Sequence, residues 1–106
     1  MLPAIIEAVG GLGVDVFVDT GVRKSSDVIK AICLGAKGVL LGRPILWGLA
    51  CGGAPALEAM LHGLQADIAA DMASLGVTSI EQLGPHLLYP PDKARIDAAK
   101  AQMPSP

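Results

Sequence analysis

Aromatic side chains are almost missing from this 106-residue sequence, which holds one Trp, one Tyr and one Phe, 3% in all. Proteins that bind single-stranded nucleic acid stack bases on rows of rings, and three rings cannot supply such a row. Positive charge is equally scarce: eight Lys and Arg against ten Asp and Glu give a formal net charge of −2, so no basic field draws a polynucleotide backbone. Nucleic acid is thereby excluded as a partner. The two cysteines, Cys33 and Cys51, form no CxxC pair and are expected to be bystander thiols in a reducing compartment. No uninterrupted apolar run reaches the ~18 residues of a membrane span, and the start carries no basic segment leading into an apolar core of the secretory type. The sequence has no Walker loop, no G-x-S-x-G elbow and no His, Cys or carboxylate set at metal-ligand spacing, so no metal is expected.

What is present is a pattern that occurs twice. A β-branched stretch, 14–18, runs into Asp19-Thr20-Gly21-Val22-Arg23, and a second one, 38–41, runs into Gly42-Arg43-Pro44. Between them lies one helix-length segment, 26–34, closed by Gly35. A parallel crossover of this kind brings both strands to the same edge of a sheet, so the two Gly/Arg loops meet. Gly21 and Gly42 allow sharp turns and close backbone approach, and Arg23 and Arg43 present planar forks suited to phosphate oxygens. Ser25 or Ser26 is expected to cap the following helix, adding the positive end of its dipole. Asp19 is placed to accept a bond from a ligand hydroxyl or a loop N–H, and Asp27 to tie the loop together.

The remainder reads as packing. Residues 2–9 form a helix ended by Gly10-Gly11, and 44–49 a short helical turn in which Trp47 packs over the sheet end. In 54–75, Leu57, Met60, Leu61, Leu64, Ile68, Met72 and Leu75 recur at three and four residues, the stripe of an amphipathic helix ended by Gly76. Thr78 to Glu81 has the form of a capping box before a short helix. His62 and His86 are expected to be a solvated helix residue and a loop residue. After Leu88 the composition turns to Pro, Lys, Asp and Ala, predicting a low-order tail over 89–106 with a frayed helix at 92–102.

The texts LPAIIEAVGG, VFVDTGVRKSSDVIKAICLGAKGVLLGRPILWGLACGG and GVTSIEQLG resemble the C-terminal part of the FMN-dependent α-hydroxy-acid oxidases and dehydrogenases, the group that contains glycolate oxidase, lactate oxidase, mandelate dehydrogenase and flavocytochrome b2. The likeness covers about 1–88. It implies an α/β fold, the C-terminal quarter of an FMN-binding (β/α)8 TIM barrel, with the two strands as strands 7 and 8. Phosphate sites of such barrels form after the last two strands. The resemblance maps the FMN-phosphate role onto Asp19, Thr20, Gly21, Val22, Arg23, Gly42 and Arg43.

The family's His-Gly-x-Arg-Gln segment, which supplies its catalytic base and a substrate arginine, does not occur here, so no catalytic residue is assigned. At 106 residues, against the ~250 of a complete barrel, the stretch is expected to be the cofactor-anchoring part of a 2-hydroxy-acid oxidoreductase and inactive alone. Its parent is expected to act on a small 2-hydroxy acid, to be a homo-oligomer and to be cytoplasmic, although the family also has peroxisomal and mitochondrial members. Another phosphate-binding barrel enzyme, of the IMP dehydrogenase or dihydroorotate dehydrogenase type, and a non-catalytic remnant are the alternatives. Thr20 stands where the family often has glycine, and Ser25 where glycine is usual. A left-handed backbone at Ser25 would cost on the order of 1 kcal/mol.

Overall fold

The computed structural model describes residues 1–88 together with Asp97, Ala98 and Ala101. The low-order tail expected over 89–106 otherwise lies outside the described residues; within the helix expected over 92–102, those three are helical. Helix α1 (Leu2–Val9) leads through a turn to strand β1 (Phe17–Val18), helix α2 (Ser25–Cys33), strand β2 (Gly38–Val39) and helix α3 (Arg43–Leu75). Two 3-10 turns follow, Ile80–Gln82 and Pro85–Leu87.

The two strands pair in parallel, Phe17 opposite Gly38 and Val18 opposite Val39. The ladder extends one bond each way, from Lys37 N–H to the Val16 carbonyl (2.7 Å) and from Leu40 N–H to the Val18 carbonyl (2.8 Å). Both strands are therefore shorter than expected. Residues 14–15 and 41–42 have the composition of strand, but among the described residues no neighbour pairs with them. An added Cβ at Gly38 would meet the Phe17 ring at 3.0 Å, so the glycine is what lets that ring lie across its partner strand.

Helix α2 is the centre of the fold. It packs against α3, β2 and the second 3-10 turn, and the buried residues Val22, Ile29, Ala31, Cys33 and Ala36 lie in or beside it. Its start corrects the expectation of a serine cap. Ser25 is already the first helical residue and Lys24, in extended conformation, precedes it. The capping is done by Asp27, whose Oδ2 accepts from the Arg23 N–H (3.1 Å) and the Lys24 N–H (3.2 Å). Asp27 is the third residue of a helix that starts at Ser25, the place from which a capping-box carboxylate reaches back, and the Ser25 hydroxyl bonds Asp71 instead.

Helix α3 is two helical stretches across a break. Gly52 and Gly53 leave the helical region, Gly53 with φ 73°, and Pro55 follows. The stretches 43–51 and 54–75 match the expected pieces. Gly48 is buried where they meet: a Cβ there would lie 3.3 Å from the Leu57 Cα and 3.1 Å from its Cδ1. The expected stripe is half-buried at Leu57, Met60, Leu64, Ile68 and Met72, whereas Leu61 and Leu75 are exposed. By length and composition α3 would suffice to cross a membrane, with mean hydropathy 1.2 in its most apolar window. A core helix of a soluble protein meets the same description, and here 6% of that window is buried.

Two further corrections concern caps. Gly10, the residue after α1, stays right-handed at φ −57°, and the left-handed turn falls at Gly13, φ 68°. At the first 3-10 turn it is Gln82, not Glu81, that reaches back. Its Oε1 accepts from the Thr78 N–H at 2.7 Å, because the turn starts one residue later than expected, with Ser79 at the N-cap, which makes Gln82 its third residue.

Candidate functional site

Because β1 and β2 run in parallel, the loops that follow them leave from one edge of the pair. They enclose a cavity of about 500 Å³, within the roughly 300–1,000 Å³ of small-molecule sites. Asp19, Thr20, Gly21, Val22 and Arg23 of the first loop line it, with Gly42 and Arg43 of the second. All seven residues singled out from the sequence are thus brought together. Leu40, Pro44 and Trp47 complete the wall.

The first loop owes its shape to two consecutive left-handed residues, Thr20 and Gly21, each at φ 79°. The strained position is therefore Thr20, not Ser25, which is helical. A β-branched residue in this region is an outlier, and such strain persists where surrounding structure enforces it. Here Asp19 does so: its Oδ1 accepts from the Thr20 N–H at 2.8 Å. Asp19 thus takes a loop N–H, one of the two roles foreseen for it. With Thr20, Arg23 and Lys24 bonded to carboxylates, the loop's N–H groups without a partner among the described residues are those of Asp19, Gly21 and Val22. The second loop adds the start of α3, where Pro44 has no N–H and the Ile45 N–H bonds the Gly42 carbonyl at 3.1 Å, so the Arg43 N–H is the donor left over among the described residues.

Arg23 and Arg43 both line the cavity and both are exposed. The Arg23 guanidinium carbon stands 5.3 Å from the centroid of the Trp47 ring. The sequence reading placed Trp47 over the sheet end but missed its contact with Arg23. The signal was the spacing Arg43 to Trp47, four residues and hence one face of a helix. Neither histidine lines the cavity. His62 pairs with Glu58 on the surface of α3 at 3.6 Å, and exposed His86 sits in the second 3-10 turn, both as expected.

A family model described as FMN-dependent dehydrogenase matches residues 1–90. The chain belongs to this family. Over 74 residues it is 53% identical to L-lactate dehydrogenase (cytochrome) of Saccharomyces cerevisiae, covering 70% of this chain and 12% of that protein. Over 81 residues it is 47% identical to human 2-hydroxyacid oxidase 1, covering 76% and 22%. Among solved structures, the recombinant flavin-binding domain of baker's yeast flavocytochrome b2 superposes with a TM-score of 0.79 at 38% identity, over 99% of this chain and 26% of that one. The chain thus spans about a quarter or less of the length of these relatives. Their barrel places the FMN-dependent dehydrogenase family among the TIM barrels, and β1, α2 and β2 are one β-α-β unit of that architecture.

The residues present fit the family's cofactor. FMN carries a phosphate, and the cavity presents two guanidinium groups, the partnerless Gly21 and Val22 N–H groups and the α3 N-terminus. Asp19 is the one acidic side chain in its wall, and that carboxylate is engaged by the Thr20 N–H. Anion recognition by backbone donors plus arginine forks needs no more than this.

Proposed function

We propose that this chain is the cofactor-anchoring part of an FMN-dependent 2-hydroxy-acid oxidoreductase, with β1 and β2 as strands 7 and 8 of the barrel. The observation that carries the proposal is the convergence of Arg23 and Arg43 in one cavity at the end of a parallel strand pair. Arg23 and Arg43 hold the phosphate by paired, charge-assisted bonds. Gly21 and Gly42 let the backbone come close to it, with Thr20 and Val22 completing the loop, and Asp19 fixes the loop through Thr20. Bound FMN supplies the two-electron acceptor for oxidising a 2-hydroxy acid to a 2-oxo acid.

The base and the substrate-carboxylate arginine come from barrel strands outside this stretch, in keeping with a sequence that holds no His-Gly-x-Arg-Gln segment. Residues 1–88 then act as the end of the catalytic domain and 89–106 as its tail, in a cytoplasmic homo-oligomer, and the 106 residues alone turn over no 2-hydroxy acid. The relatives' names, a lactate dehydrogenase and a 2-hydroxyacid oxidase, support the substrate class.

The test is FMN affinity in the full-length protein carrying Arg23→Ala or Arg43→Ala. A charge-assisted contact of about 1.5–3 kcal/mol corresponds to a roughly 10- to 150-fold loss, and Arg23→Lys restores part of it, keeping charge without the fork. Unchanged FMN affinity in both alanine variants would sink the assignment.

A further inference from the structure

The Arg23 side chain is long and exposed, and it forms no salt bridge among the described residues. What it does have is a ring. Its guanidinium carbon lies 5.3 Å from the Trp47 centroid, within the range of a cation–π contact. Trp47 is itself 48% exposed in this stretch. It sits one turn after Arg43 on α3 and shares the cavity wall with both arginines.

We infer that Trp47 is a positioning residue for the phosphate end of the cofactor, holding the Arg23 fork at a set place relative to Arg43. The inference rests on reading the cavity as the FMN-phosphate site. Three anchors define the arrangement. Asp27 Oδ2 accepts the Arg23 N–H at 3.1 Å and fixes the base of the side chain. The Trp47 ring receives the guanidinium, and α3 sets that ring relative to Arg43. Among the described residues the Arg23 guanidinium makes no hydrogen bond and no salt bridge besides this ring contact, so its fork of donors is left for an anion. The ring therefore orients the fork without consuming a donor that a phosphate needs. An arginine held in this way also loses less freedom on binding an anion than one swinging in solvent.

The test measures FMN and riboflavin affinities of the full-length protein by flavin fluorescence. Riboflavin lacks the phosphate. Trp47→Leu is expected to weaken FMN about 2- to 5-fold, the equivalent of an exposed cation–π contact, and to leave riboflavin unchanged. Trp47→Phe should recover part of the loss, and Trp47→Leu should have no further effect on FMN once Arg23→Ala is present. Equal weakening of FMN and riboflavin would overturn the inference, since the ring would then serve the flavin ring or the fold. So would full additivity of the two substitutions, or unchanged FMN affinity in Trp47→Leu alongside a loss in Arg23→Ala. Unchanged FMN affinity in both Arg23→Ala and Arg43→Ala would remove the phosphate reading itself, and the inference with it.

Discussion

The Ser25 hydroxyl donates to Asp71 Oδ2 at 2.6 Å, a part-buried bond between residues 46 apart that ties the start of α2 to α3. A hydrogen bond to a charged group contributes about 1.5–3 kcal/mol. Ser25→Ala should lower unfolding stability by an amount at the lower end of that range, and Asp71→Ala by a similar amount. Denaturant unfolding of both single variants and the double variant checks this. Losses that simply add would show that the two residues do not act on each other.

Thr20 holds φ 79° beside Gly21 at the same angle. Relief of a left-handed backbone is worth roughly 1–2 kcal/mol, offset in part by the greater freedom of glycine when unfolded. Thr20→Gly should therefore raise the unfolding midpoint by up to about 1 kcal/mol equivalent, whereas Gly21→Val should lower it. A thermal or urea melt of the two variants would settle the sign.

Gly48 allows the two stretches of α3 to touch, with Leu57 3.1 to 3.3 Å from where a Cβ would stand. Overpacking of this kind costs about 1–3 kcal/mol. Gly48→Ala should destabilise, and Gly48→Ala combined with Leu57→Ala should recover the steric part of the loss. Urea midpoints of the single and double variants check the expectation. A single variant as stable as the parent would show that the bend at Gly52 and Gly53 yields freely.

Cys33 is 1% exposed and Cys51 is exposed. Burial pushes the Cys33 thiol above its ordinary range, countered in part by a backbone bond from Gly84. The folded protein thus binds the thiol proton more tightly than the unfolded chain. Its stabilising contribution is complete below the unfolded thiol's titration, near pH ~8.5, and is lost as pH rises from there through the folded value. Stability should fall over that alkaline range in the parent and fall less in Cys33→Ala. A thiol reagent at neutral pH should label one cysteine in the native chain and two in the unfolded one.

The residues of the site and their convergence were legible in the linear text. Two β-branched stretches joined by one helix must cross over in parallel, which forces both Gly/Arg loops to one edge. Glycine and arginine then signal anion binding because few other residue types combine close approach with a fork of donors. The ends of elements were legible less well, for a reason particular to each. Residues 14–15 look like strand, yet a strand is defined by its partner, and partners are not local. Ser25 and Glu81 have the chemistry of capping residues, yet each helix starts one residue away from the expected place, with Lys24 and Ser79 at the N-caps, so Asp27 and Gln82 hold the backbone N–H groups there.

By itself, then, the sequence determined the family, the β-α-β order and seven of the ten residues that line the cavity, since each depends on residue type and short-range spacing. Only the tertiary structure decided that Thr20 carries the left-handed turn, that Ser25 reaches Asp71, and that Arg23 lies over Trp47. Those three depend on where separate segments stand once α2 has packed on α3, and no local spacing encodes the distance between a loop and a helix 24 residues further on.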